Sequence, residues 1–189
     1  MDLFTQVKQM QPLVETRNWA ALEEAFLTKA APHVDKELLD CLREEDVSAY
    51  QETLEMTLKK VNAESKEDPT IKAIYYEFTM FRLWEGYFYL TTEYNSTDAG
   101  DAWVCEYEEK YMGPRFGRFS DLYERASISG EVTIMRAVAL ALIARSVAAM
   151  GRAVDNVLSE EEIPLPVCIG LNGQDPVFRL HQVVMTVAA

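Results

Sequence analysis

The stretch from Glu131 to Leu158 constrains the chain more than any other. In it Leu140, Val147 and Val154 recur every seventh residue, as do Ile143, Met150 and Val157. Beside them runs a stripe of small side chains, Ala137, Ala141, Ala144, Ala148 and Gly151. Large side chains fill one groove, and the small stripe admits a second helix at close range. Arg136, Arg145 and Arg152 interrupt the run. An arginine near mid-bilayer costs about 2.5–3.5 kcal/mol, so the segment reads as the buried central helix of a soluble protein, with no membrane partner expected. A chain built on such a helix has to wrap other elements around it.

The rest of the sequence reads as those other elements, nearly all helical. Asn18 is placed to cap a helix carrying Trp19, Leu22 and Phe26 on one face. From Val34 to Lys66 the pattern gives two charged helices broken near Glu44–Asp46. The second presents Val47, Tyr50, Leu54, Leu58 and Val61 to a core. Residues 71–91, with Ile71, Ile74, Phe78, Phe81, Trp84 and Phe88, are apolar nearly all round and are expected to form a helix inside the bundle. A loop over 92–102, a short helix over 102–111 and another around 120–126 lead into the central helix. The end differs: Pro164 and Pro166 exclude helix, and Asn172-Gly173 between two β-branched runs signals a hairpin or extended arm. The expected architecture is mainly α, a multi-helix bundle over 1–162 with a C-terminal β-hairpin or arm over 163–189 on the same single domain.

Charge narrows the partners. Up to Met112 there are twenty-three Asp/Glu against eleven Lys/Arg; beyond it, eight against seven, all arginine. The formal charge of −13 is therefore an N-terminal property. Binding nucleic acid needs clustered bases that displace counterions, so no nucleic-acid partner is expected. A basic protein is the natural counterpart of a one-signed acidic surface. The opening residues lack a basic region followed by an apolar core, and three widely spaced cysteines indicate no disulfide framework, so the cytoplasm is expected.

Catalytic chemistry finds little purchase. Of the two histidines, His33 and His181, neither has a glutamate three residues before it, as a di-iron bundle requires, and no zinc set exists. No metal or cofactor is expected. No nucleophile elbow or phosphate loop occurs, and Cys168 with His181 across the proposed hairpin lacks an acidic third member. Glu77 and Glu85 stand out within an apolar segment. On a helix they would lie roughly 12 Å apart along the axis, beyond the roughly 5–9.5 Å of glycosidase carboxylates.

The remaining constellation is Glu93, Asp98, Asp101, Trp103, Glu106, Tyr107, Glu108, Glu109 and Tyr111. On a helix, Trp103, Tyr107 and Tyr111 share one side, and rings amid carboxylates suit an anchor in a basic partner. The sequence thus points to an acidic cytoplasmic protein-binding protein, not an enzyme: an inhibitor or immunity protein neutralising a basic partner such as a toxin. The alternative is a small-ligand binder or carboxylate-dependent enzyme with a pocket between helices 71–91 and 131–158, lined by Glu77, Arg82, Glu85, Arg136 and Arg145. Self-association stays open.

Overall fold

A computed structural model describes residues 3–81, 83–96, 102–172 and 174–183. The described residues form seven α-helices: α1 (Leu3–Lys8), α2 (Gln11–Glu15), α3 (Trp19–Ala30), α4 (Lys36–Glu44), α5 (Ser48–Ser65), α6 (Gly117–Ile128) and α7 (Val132–Glu160). Five strands accompany them: β1 (Ala73–Phe78), β2 (Gly86–Thr91), β3 (Tyr107–Met112), β4 (Val167–Leu171) and β5 (Gln174–His181). They make one mixed sheet in the order β3-β2-β1-β4-β5, antiparallel except for the central β1–β4 pair. The fold is therefore α/β, about 55% helix with a five-stranded sheet, and the mainly-α bundle is overturned.

The correction rests on two segments. Residues 71–91 form the hairpin β1–β2, with Glu77 opposite Tyr87 and Phe78 opposite Gly86. Strands hide there because both faces are covered, so the usual alternation of apolar and polar is lost. Ile74, Tyr76, Phe78, Phe88 and Leu90 face the helices; Ala73, Tyr75 and Tyr89 join Trp103, Cys168 and Val177 on the outer face. Residues 102–111 form not a helix but a 3-10 turn (Ala102–Cys105) followed by β3.

The β1–β2 connection carries no glycine, proline or asparagine to announce a turn. Leu83 and Trp84 make it instead, with φ of 64° and 51°. Left-handed backbone costs an ordinary residue about 1–2 kcal/mol. The gain comes from Trp84, fully buried, whose Nε1 donates to Ser146 Oγ of α7 at 2.9 Å. The loop is thereby pinned to the central helix.

All positions of α7 from Ala137 to Gly151 are buried. By length and composition α7 would span a membrane, yet 72% of its most apolar window is buried inside the protein. The sheet, α3, α5 and α6 surround it. The small stripe serves α3: a Cβ on Gly151 would lie 2.5 Å from the Trp19 ring. That ring cannot slide away, because Trp19 Nε1 donates to Asp155 Oδ2 at 2.6 Å and Asp155 also binds Arg17. Arg152 donates to both oxygens of Glu23 on α3, at 2.8 and 3.0 Å.

This contact makes a signed prediction. Alanine is favoured over glycine in a helix by about 1 kcal/mol, while overpacking a close contact costs about 1–3 kcal/mol. With the indole fixed, the clash wins: Gly151→Ala lowers the urea midpoint. A raised midpoint would mean that α3 does not approach α7 at Gly151.

Candidate functional site

The outer face of the sheet gathers most of the residues that the sequence singled out. Strand alternation puts Glu77 of β1, Tyr87 and Tyr89 of β2 and Lys110 of β3 on that face, and the chain turning out of β1 adds Thr79 and Glu85. Thr79 N donates to Glu85 O at 2.9 Å, which continues the hairpin pairing past Phe78. Glu77 and Glu85 are thus diagonal neighbours across two strands, roughly 7–8 Å apart, not two turns apart on a helix. They line a cavity of about 380 Å³ with Phe81, Tyr87, Tyr89 and Lys110.

Each polar group in the cavity has a defined setting. Glu77 Oε2 accepts from Asn172 Nδ2 at 2.8 Å and from Tyr89 Oη at 3.3 Å. Burial, with the neighbouring Glu77 carboxylate, raises the Tyr89 phenol well above its ordinary value, so it stays a hydrogen-bond donor. Glu85 is only 8% exposed and faces Arg115 Nε at 3.4 Å. The Lys110 ammonium sits 3.8 Å from the Tyr87 ring centroid and 5.3 Å from that of Tyr89. Phe81, 65% exposed, forms part of the rim.

The two arginines expected beside these glutamates lie elsewhere. Arg145 is buried among the helices, donating to Leu42 O and to Glu45 O (2.5 Å), with Glu23 at 3.6 Å. It staples α7 to the end of α4, and burial pulls its guanidinium below the ordinary value despite Glu23 and Glu45. Arg136 lines a separate cavity of about 290 Å³ with Lys29 and His33. The space expected between 71–91 and 131–158 is closed, since Trp84 and Ser146 meet across it. Arg82 falls outside the described residues.

The acidic-aromatic segment divides differently from the expected one-sided helix. Trp103 is 4% exposed, packed with Tyr75 (6.1 Å between centroids) and Tyr94 (5.2 Å). It is core, not a surface anchor. Tyr107 is 47% exposed and meets Tyr89 edge-on at 4.7 Å. Tyr111 is half-buried beneath Lys60, donating its hydroxyl to Glu109. Glu93, Glu106, Glu108 and Glu109 are all exposed. Asp98 and Asp101 fall outside the described residues.

β3 forms one edge of the sheet, and among the described residues only β2 pairs with it. The opposite edge, β5, is covered by α1 and α2. The sequence was not read as an edge strand here; the aromatic and β-branched content of β1 and β2 was the available signal for the sheet.

Cys168 stands opposite Arg179, whereas His181 stands opposite Val167. The His181 Nε2 lies 3.0 Å from Ile163 O, and burial lowers its pKa. Among the described residues, no three His, Cys, Asp or Glu side chains converge as a metal site. Compared with known proteins, the chain matches no family model, no curated protein and no solved structure.

Trp103→Ala separates the core role from an anchoring one. Removing a buried tryptophan costs about 3–5 kcal/mol, so calorimetry should show a large fall in melting temperature. An unchanged melting temperature would return Trp103 to the surface.

Proposed function

We propose that the chain is an acidic protein-binding protein that occupies a basic partner, as an inhibitor or toxin-neutralising immunity protein does, and docks it along β3. The observation that carries this reading is the edge: among the described residues β3 has a strand on one side only, beside exposed Glu106, Glu108 and Glu109. An uncovered edge strand is a template for another chain. Strand addition supplies main-chain hydrogen bonds, while side chains on alternate faces supply selectivity. The carboxylates along this edge repel an acidic copy of the same chain and attract a basic one, so charge chooses which strand is admitted. Cytoplasmic placement belongs to the same reading.

The docking surface predicted from sequence is kept in part. Trp103 leaves it, and its place as an apolar contact passes to the exposed Tyr107 and Met112. The rival reading, a small-ligand pocket lined by Glu77 and Glu85, would sit on the outer face of the sheet, since Trp84 and Ser146 meet between the two segments.

The test uses a partner recovered by affinity capture and then purified. Replacing Glu106, Glu108 and Glu109 together by Gln removes steering charge, so association should slow roughly five- to tenfold at low salt and lose most of its salt dependence. The same triple change at Glu24, Glu37 and Glu44, on α3 and α4, serves as control and should act much more weakly. A partner without net positive charge, or equal effects of the two triples, would overturn the proposal.

A further inference from the structure

The cavity on the outer face has a composition that a merely solvated hollow does not need. Its walls are the Tyr87 and Tyr89 rings with Phe81 at the rim, and its polar end is the Glu77 and Glu85 carboxylates. Ring faces are negative at their centres, and carboxylates are acceptors only. The rings and the Glu77 carboxylate therefore favour positive charge, while Glu85 already faces Arg115. Asn172 and Tyr89 both donate to the same oxygen, Oε2 of Glu77. Among the described residues no hydrogen bond reaches Oε1, so that oxygen remains available as an acceptor. Lys110 supplies a working demonstration: its ammonium already rests on the Tyr87 ring.

We infer that this cavity receives an arginine side chain of the basic partner, with its guanidinium stacked on Tyr87 and donating to Glu77 Oε1, in the place that Lys110 now fills. This rests on the partner reading above and adds what the partner must present. Arginine is favoured over lysine for a physical reason. A lysine would only exchange one ammonium for another, whereas a guanidinium gains planar stacking on the ring while its edge still donates to the available Glu77 oxygen. The position suits a docked strand, because Lys110 belongs to β3 and faces Tyr89 across the β2–β3 pairing. The added strand itself would lie about 14 Å, three strand spacings, from Glu77, so the arginine comes from a part of the docked partner that laps over Lys110 onto the outer face.

The displacement of Lys110 gives the inference its sign. Lys110 is exposed and holds no strand register through its side chain, so its loss leaves the fold intact. The probe is N-acetyl-arginine methylamide, titrated into the protein and followed by NMR, with N-acetyl-lysine methylamide and inorganic phosphate in parallel. The arginine amide should bind in the millimolar range, with the largest shifts at Tyr87 and Tyr89, and the lysine amide several-fold more weakly. Lys110→Ala should tighten arginine binding about three- to tenfold, and Glu77→Gln should weaken it about tenfold. Should Glu77→Gln unfold the hairpin, Glu85→Gln and Lys110→Ala carry the comparison.

Phosphate binding that Lys110→Ala abolishes would identify an anion site and overturn the inference. So would arginine binding that Lys110→Ala weakens, shifts confined to residues away from Tyr87 and Tyr89, or no binding by 100 mM probe (about 1.4 kcal/mol at that limit). None of these needs the partner protein. A failed titration beside a normal charge effect at Glu106, Glu108 and Glu109 would remove the arginine pocket and leave the docking edge standing.

Discussion

Everything in this protein is arranged to cover α7. Fifteen consecutive residues of the helix, Ala137 to Gly151, are buried whichever way they point. A helix without a solvent face cannot rest on one neighbour. The sheet must close one side while α3, α5 and α6 close the others. Its polar groups are answered from those neighbours: Ser146 takes the Trp84 indole, Arg145 is held by the Leu42 and Glu45 carbonyls, and Arg152 meets Glu23. Burying an arginine is costly unless each donor is met. The end of α4 is therefore fixed by α7 as firmly as by its own hydrogen bonds.

The sheet inherits a consequence. Its inner face is consumed by the core, through Tyr76, Phe78, Phe88 and Phe178, and one edge is consumed by α1 and α2. What remains for a partner is the outer face and β3. The strained turn at Leu83–Trp84 belongs to the same economy. Burying Trp84 under α7 throws Leu83 and Phe81 outward, 53% and 65% exposed, so core packing and the rim of the cavity share one turn. A strained loop beside a cavity is where function commonly resides.

How much of this was legible follows the same physics. The central helix, the break between α4 and α5, the Asn18 cap (its side chain accepts from Ala21 N at 3.1 Å) and the C-terminal hairpin announce themselves through local periodicity and turn residues. The β1–β2 hairpin does not. Period-2 alternation reports a face exposed to water, and Tyr75 and Tyr89 are covered by Trp103. Its turn is built from Leu83 and Trp84, residues that no turn rule selects. The aromatic and β-branched density of AIYYEF and GYFYL was the remaining signal. Glu77 and Glu85 do share a cavity, but helical geometry set them roughly 12 Å apart where the hairpin sets them roughly 7–8 Å apart, and it gave them the wrong companions. Trp103, Tyr107 and Tyr111 show the converse error: a spacing of four fits a helix, yet here a turn and a strand scatter the rings among core, exposed outer face and inner face.

Docking along β3 would leave its mark on amide hydrogen exchange, which reads that edge residue by residue. Exchange should be followed on the free chain and on its purified complex with the captured basic partner. Outward-facing amides of Tyr107–Met112 should exchange fast in the free chain and become strongly protected in the complex, with lesser changes around Glu77 and Tyr87. Unchanged exchange along β3, with protection confined to the acidic surface of α3 and α4, would contradict the account. The edge would then be an open strand kept soluble by its charges, and the partner would sit on the helical side.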